Sequence, residues 1–286
     1  MPNGTIGVVT LTRHRPHLLR RAMASVRAQD FPGEIEHVVV VDDDPDSVPV
    51  VEAAPVRPGL RRVAHLVSRG PAERDEPPGD KRYVYPRLSR LFNTGARLST
   101  ADWIAFLDDD NEFEPDHLSS LYACARGVGA EAVHSGRTIW CADGTPYTEE
   151  VWHTAPNRGE GERIFELMCA RGVRIRGTNV LLDRADPVLP ATLRTSTVMQ
   201  PEDPVLLVDQ SVWLIRRELL LRLPIPETFT EDDHAKNAAP DDKLLEVLLR
   251  DGVRLHTTGR PTVRYYLGGV SNHHRRDPTT TGTARS

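Results

Sequence analysis

Apolar residues fall along this chain in two alternating periods. Residues 5–10 form a short apolar run bounded by polar residues, the pattern of a buried strand. Pro16 suits the first position of a helix, and Leu18, Leu19, Ala22, Met23 and Val26 follow at helical spacing until residues 30–33 break the pattern. A second apolar run, 36–41, completes strand, helix, strand, which is a βαβ unit with parallel strands and a right-handed crossover. Residues 62–67 predict a third strand, after a Pro- and Ala-rich connection at 48–58. Residues 68–82 are rich in Pro, Gly and charge and predict a mobile loop inserted within one unit. A helical pattern at 88–98 leads into the run Ile104–Leu107, apolar on both faces, as a central parallel strand requires. Pro115 opens another helix through Leu118, Leu121, Tyr122 and Ala125.

The second half is less regular. It predicts strands at 132–140, 174–182 and 211–215, helices at 164–171, 216–223 and 241–250, and final strands at 253–256 and 262–266. Residues 144–161, 183–204 and 229–239 lack a period, and the Thr-rich C-terminus lacks any packing pattern. The expected architecture is one large α/β domain, or at most two small ones, with a mainly parallel sheet flanked by helices and a flexible tail at 273–286.

The chemistry gathers where strands end. The central strand runs straight into Asp108, Asp109 and Asp110, and the second strand into Asp42, Asp43 and Asp44. The carboxyl edge of an open α/β sheet is where ligands bind. Adjacent carboxylates repel, so a hard divalent cation, Mg²⁺ or Mn²⁺, shared with phosphate oxygens, is the expected partner of Asp108–Asp110; a solvated acidic turn is the alternative. No GxGxxG or GxxxxGK[ST] follows the first strand, which argues against a dinucleotide fold or a P-loop. The formal charge of −5 argues against a general nucleic-acid binder. Cys124, Cys141 and Cys169 have no metal-ligand spacing and read as reduced thiols. Arg13, Arg15, Arg20 and Arg21 interrupt any signal-peptide pattern, and no apolar segment nears the ~20 residues of a membrane span. A soluble cytoplasmic protein is expected.

In order and spacing these pieces resemble the GT-A-fold glycosyltransferases, in particular the inverting family 2, over roughly residues 5–256. Leu11-Thr12-Arg13-His14-Arg15-Pro16 is similar to the family's first turn, and Val40-Val41-Asp42-Asp43 to its second-strand aspartates. Asn93-Thr94-Gly95 resembles its Asn-x-Gly helix, and Ile104 to Asp110 its metal-binding DxD strand. Residues 212–219 resemble its strand and Arg-Arg-Glu-Leu helix start, and Asp241-Asp242 with Leu245 and Gly252 its Glu-Asp-x-x-Leu…Gly segment. The family arginine before Asn93 is Phe92 here, with Arg90 one turn away as a substitute, and the absence of Gln-x-x-Arg-Trp favours transfer of a single sugar.

The resemblance implies a single Rossmann-like GT-A domain over 1–272, with a nucleotide-binding half (about 1–125) and an acceptor-binding half (about 126–272). It implies a nucleoside-diphosphate sugar as donor, a UDP-sugar first, and a small-molecule or glycan acceptor. Asp110 is implied as direct metal ligand with Asp108 in support. Asp109 is implied at the donor sugar or ribose, and Asp42 or Asp43, Thr12, Arg13, Arg90 and Asn93 around the nucleotide. Asp242 is implied as the general base of an inverting displacement, with Asp241 as the cap of its helix. His273 could add a metal ligand, the other reading being a basic tail. Trp140, Trp152, His153 and Trp213 are either acceptor-site aromatics or core. The rival readings are a retaining GT-A transferase, a sugar-phosphate nucleotidyltransferase and a catalytically silent nucleotide-sugar-binding protein.

Overall fold

The computed structural model describes residues 4–77, 79–188, 195 and 199–268. In chain order the elements are β1 (Thr5–Thr12), α1 (Pro16–Arg27), β2 (Glu34–Asp42), α2 (Ser47–Glu52), β3 (Leu60–Val67), α3 (Pro71–Arg74), α4 (Lys81–Leu98) and β4 (Trp103–Phe106). There follow β5 (Glu112–Phe113), α5 (His117–Val128), β6 (Ala132–Trp140), α6 (Arg158–Ala170), β7 (Val180–Leu181), β8 (Arg184–Ala185) and β9 (Leu206–Leu207). The chain continues through β10 (Trp213–Arg216), α7 (Arg217–Arg222), α8 (Glu231–Ala235), α9 (Pro240–Arg250) and β11 (Leu255–Tyr266).

One sheet carries the order β3-β2-β1-β4-β10-β6-β11-β5, with β7 on β6. The first four strands are all parallel. The expected mainly parallel character is carried by this half; beyond it β10 is antiparallel to both β4 and β6, and β11 is parallel to β6 and antiparallel to β5. The order reverses at β1 and β4, so their carboxyl ends open a crevice at a topological switch point. Val8, Val9, Ile104, Ala105 and Phe106 are fully buried, because helices cover both faces of these strands.

Several sequence expectations shift for local reasons. Helix α4 starts at Lys81 and not at 88, since the Asp80 side chain caps it by accepting the Arg82 N–H (2.9 Å) and Pro86 is tolerated inside. The segment 68–82 is not a free loop: it holds α3, and Arg69 and Glu73 are bound into ion pairs. The strand expected at 174–182 shrinks to Val180–Leu181, because Gly172 and Gly177 take left-handed backbone angles and turn the chain. The strands expected at 253–256 and 262–266 are one irregular strand, β11, which begins at Leu255.

Helix α4 lies directly on β1 and β2, and Gly95 is where they touch. A Cβ there would collide with Val9 and press on Val40 Cγ2 at 3.3 Å. Gly95→Ala is therefore expected to destabilise the protein by about 1–3 kcal/mol in urea unfolding, because overpacking outweighs the ~1 kcal/mol helix preference for Ala. Unchanged or increased stability would show that α4 does not pack on the sheet this closely.

Candidate active site

β4 delivers the acid turn. Leu107 N–H still bonds to Val9 O (3.0 Å), and the chain then leaves the sheet, so Asp108, Asp109 and Asp110 stand at its carboxyl edge. Asp109 is 1% exposed. It accepts the Thr12 hydroxyl (2.7 Å) and lies 2.5 Å from Arg15 Nη2. Asp110 accepts from Arg15 Nη1 (2.9 Å), and its carbonyl accepts from Arg21 (2.6 Å). Asp108 has only neutral partners, chiefly the Ser211 hydroxyl at 3.2 Å. Thus Arg15, which belongs to the first-turn motif but was given no role there, supplies the first counter-charge, and Thr12 orients Asp109 directly. The signal was present: Arg15 directly precedes Pro16, at the start of a helix rising from the same sheet edge.

One guanidinium does not balance three carboxylates. Burial, then Asp110, Asp209 and Asp109, raise the Asp108 carboxyl well above the usual range. Burial raises Asp109 to about 7 against the opposing Arg15, and burial raises Asp110 likewise. The turn can accept further positive charge, and its all-oxygen donors suit Mg²⁺ or Mn²⁺. Among the described residues no three His, Cys, Asp or Glu side chains converge as a metal set. The protein would therefore offer one or two carboxylates and leave the remaining positions to phosphate oxygens and water, the usual arrangement for Mg²⁺. His273 lies outside the described residues.

The end of β2 is more occupied than its sequence suggests. Asp42 is buried and takes paired bonds from Arg69 (2.7 and 3.2 Å) and Arg87 (2.5 and 2.8 Å). Burial alone would raise its pKa; those bonds bring it below the ordinary value. Asp43 sits in the left-handed region (φ 52°) and pairs with Arg74 at 2.9 Å, which holds its carboxyl far down. Asp44 ties the two loops together through the His14 N–H (2.8 Å) and the Ser47 hydroxyl (2.5 Å). Asp43, at the edge and less buried, is the more accessible of the expected pair. Arg13 is exposed, and its charge bears on Asp43.

Two expected nucleotide contacts are engaged elsewhere. The Asn93 amide bonds Ile225 O (2.8 Å), Ile225 N–H (3.0 Å) and Glu227 (2.9 Å), so it anchors the chain after α7. Arg90 pairs with Glu73 (2.6 Å), which also holds Arg87; it reaches the Asp42 network and not the acid turn. Phe92 is core, stacked edge-on to Phe106.

Helix α9 brings the second acidic group. The cap bond belongs to Asp242 and not to Asp241: Asp242 Oδ2 accepts the Ala239 N–H at 2.9 Å. Burial raises Asp242 to about 6, opposed by that bond. Burial, Asp242 and Asp209 raise Asp241 well above the usual range, opposed by Arg137. Asp242 also lines a cavity of about 270 Å³ with Thr230, Asp233, Lys236, Lys243 and Glu246. Trp152, His153 and Trp213 are buried, while Trp140 lies half-buried beside Tyr266. Tyr266 in turn stacks under Arg21 at 3.8 Å.

Residues 85–186 match the model of glycosyl transferase family 2. Two proteins of Rhizobium meliloti (strain 1021) are similar to part of the chain. Succinoglycan biosynthesis protein ExoW is 34% identical over 117 residues, 40% of this chain and 32% of that protein. Succinoglycan biosynthesis protein ExoO is 32% identical over 125 residues, 43% of this chain and 30% of that protein. The matches thus span about a third of these relatives' length. Among solved structures, S. aureus TarS 1-349 in complex with UDP superposes with a TM-score of 0.52 at 15% identity, covering 92% of this chain and 61% of that chain. Its complex with UDP-GlcNAc gives 0.51 at 14% identity, covering 92% and 59%. At such identities the likeness shows the fold.

Without metal, Arg15→Met leaves Asp109 and Asp110 without their cation. The expected loss is about 1–3 kcal/mol at pH 8, the low end reflecting an arginine that is 35% exposed. The loss should shrink at pH 5.5, below the Asp109 pKa of about 7, because the carboxyl then holds a proton in the fold. Urea unfolding at both pH values checks this; an equal loss at the two would contradict it.

Proposed function

We propose that this chain is a family 2 glycosyltransferase of GT-A fold that moves one sugar from a nucleoside-diphosphate sugar to an acceptor hydroxyl with inversion; the match of residues 85–186 to that family and the shared fold support the reading. The observation that carries the reading is the pair of buried acidic groups at one sheet edge: an under-neutralised acid turn and an α9 carboxylate with a pKa of about 6. The UDP and UDP-GlcNAc complexes of TarS support a UDP-sugar as first choice of donor. The succinoglycan relatives support a glycan acceptor over a small molecule. Residues 1–272 would act as one domain, with the donor on β3-β2-β1-β4 and the acceptor beyond. No described helix is long and apolar enough to cross a membrane, and the three cysteines are free thiols; with a nucleotide-sugar donor, we place the protein in the cytoplasm.

The roles follow from charge and position. Asp43 and the backbone around Thr12 and Arg13 would take the nucleoside. Asp110 and Asp108 would hold Mn²⁺ or Mg²⁺, and Asp109, fixed by Thr12 and Arg15, would face the sugar or ribose. The bound cation would neutralise charge developing on the leaving diphosphate. Arg15 must share the turn with that cation and is placed to turn toward phosphate. Asp242 would take the acceptor proton: its cap bond fixes the carboxylate, and a pKa of about 6 leaves it ionised at neutral pH. Asp241, held toward its protonated form, is unsuited to that step.

Turnover should fall as pH drops through about 6, since the base is lost by protonation. Asp242→Asn should lower kcat by about 10²–10⁴ with nucleotide affinity within twofold, and Asp241→Asn should cost far less. Steady-state kinetics with UDP-sugars and NMR of the product anomer test the set. A retained anomer, or full activity in Asp242→Asn, would defeat the inverting reading.

A further inference from the structure

Arg137 and Asp209 have no part in the roles above, yet they lie between them. Arg137 rises from β6 and is 4% exposed. Its guanidinium pairs with Asp209, lies 3.5 Å from Asp183 and sits 4.8 Å from the Tyr265 ring centroid. Asp209 caps the single turn Gln210–Val212 by accepting the Ser211 N–H at 2.9 Å, and its own N–H bonds Asp183 at 3.0 Å. The same turn delivers the Ser211 hydroxyl to Asp108.

Asp209 therefore stands one residue from a direct partner of the acid turn. Strand β9, which ends two positions before Asp209, packs against α9, and the Asp209 charge bears on Asp108 and Asp110 as well as on Asp241 and Asp242 of α9. Arg137 acts on the two α9 carboxylates in the opposite sense. The other charged groups around the Asp242 cavity are Asp232, Asp233, Lys236, Lys243, Glu246 and Arg250. Asp242 feels Glu246 one turn on, and Asp233 is already paired with Lys243 at 2.9 Å. A buried aspartate among this many carboxylates is costly unless a cation accompanies it.

We propose that the buried Arg137–Asp209 pair is the charge hub of the site, with Arg137 as a positioning residue. Asp209 lends negative charge to both the acid turn and the start of α9. Arg137 limits that charge, so the α9 base can ionise while the acid turn still attracts a cation. The inference rests on the glycosyltransferase reading for the roles of the carboxylates it controls. The charge coupling itself needs no donor.

The test is a carboxyl ¹³C NMR titration of protein labelled in its aspartates, free of metal and nucleotide. The Asp242 resonance is identified by its loss in Asp242→Asn. Asp209→Asn keeps the turn's cap, since Asn caps as well as Asp, so the fold is retained. The Asp242 midpoint should fall by about one unit in Asp209→Asn, as a like charge is removed. In the double variant Arg137→Met with Asp209→Asn, where the pair leaves as a neutral unit, it should return to within about 0.3 of wild type. The acid limb of turnover should move in the same order. A midpoint that stays put or rises in Asp209→Asn overturns the hub, and a double variant that fails to return removes Arg137 from it. Absence of nucleotide binding would instead sink the transferase reading and leave the titration result standing.

Discussion

Negative charge at the carboxyl edge of the sheet must be balanced inside low-dielectric surroundings, and much of this molecule is arranged around that need. Three strand ends or turns bring aspartates to one place, and burial pushes Asp108, Asp109, Asp110, Asp241 and Asp242 toward their protonated forms. Arginines answer them at each point: Arg15 at the acid turn, Arg69 and Arg87 at Asp42, Arg74 at Asp43, and Arg137 at Asp209. The acid turn is left with more carboxylate than counter-charge, one guanidinium facing three carboxylates. That imbalance is why we propose it as the place for a cation and a polyphosphate.

The balance also explains why the loops are ordered. The insertion at 68–82 has little apolar content to bury, yet Arg69, Glu73 and Arg74 are locked to the end of β2 and to α4. A sequence reader weighing hydrophobic content sees a free loop. A buried, multiply bonded aspartate makes it part of the site wall, because each of those bonds is charge-assisted. By contrast, His37, His117 and His134 are held neutral by burial, with pKa values lowered to about 3, 3 and 4, and belong to the core.

What could be read from sequence was the local pattern. The strands carrying Val38–Val41 and Ile104–Leu107, and the aspartates that follow them, were visible because strand and acid turn are contiguous. The antiparallel β10 was visible as an element but not in its direction, which only the packing of β6 and β4 decides. Asn93-Thr94-Gly95 was recognisable as a motif, but the packing contacts of two of its residues were not. Gly95 lets α4 touch β1, and Asn93 fastens the chain at Ile225. The cap at α9 fell on Asp242 where Asp241 was expected, a one-residue rotation that no propensity resolves. Arg87 was given no role and Arg137 was missed altogether, because a buried arginine is defined by partners far away in sequence.

The central claim is that the acid turn binds a nucleoside diphosphate through a divalent cation. The most direct measurement is calorimetric titration of UDP, GDP and dTDP into the wild type and Asp110→Ala, with and without Mn²⁺. The account predicts that one nucleotide, UDP first, binds the wild type only when Mn²⁺ is present, and that Asp110→Ala abolishes the heat. Binding of equal strength without metal, or in Asp110→Ala, would contradict it, as would the failure of all three nucleotides to bind.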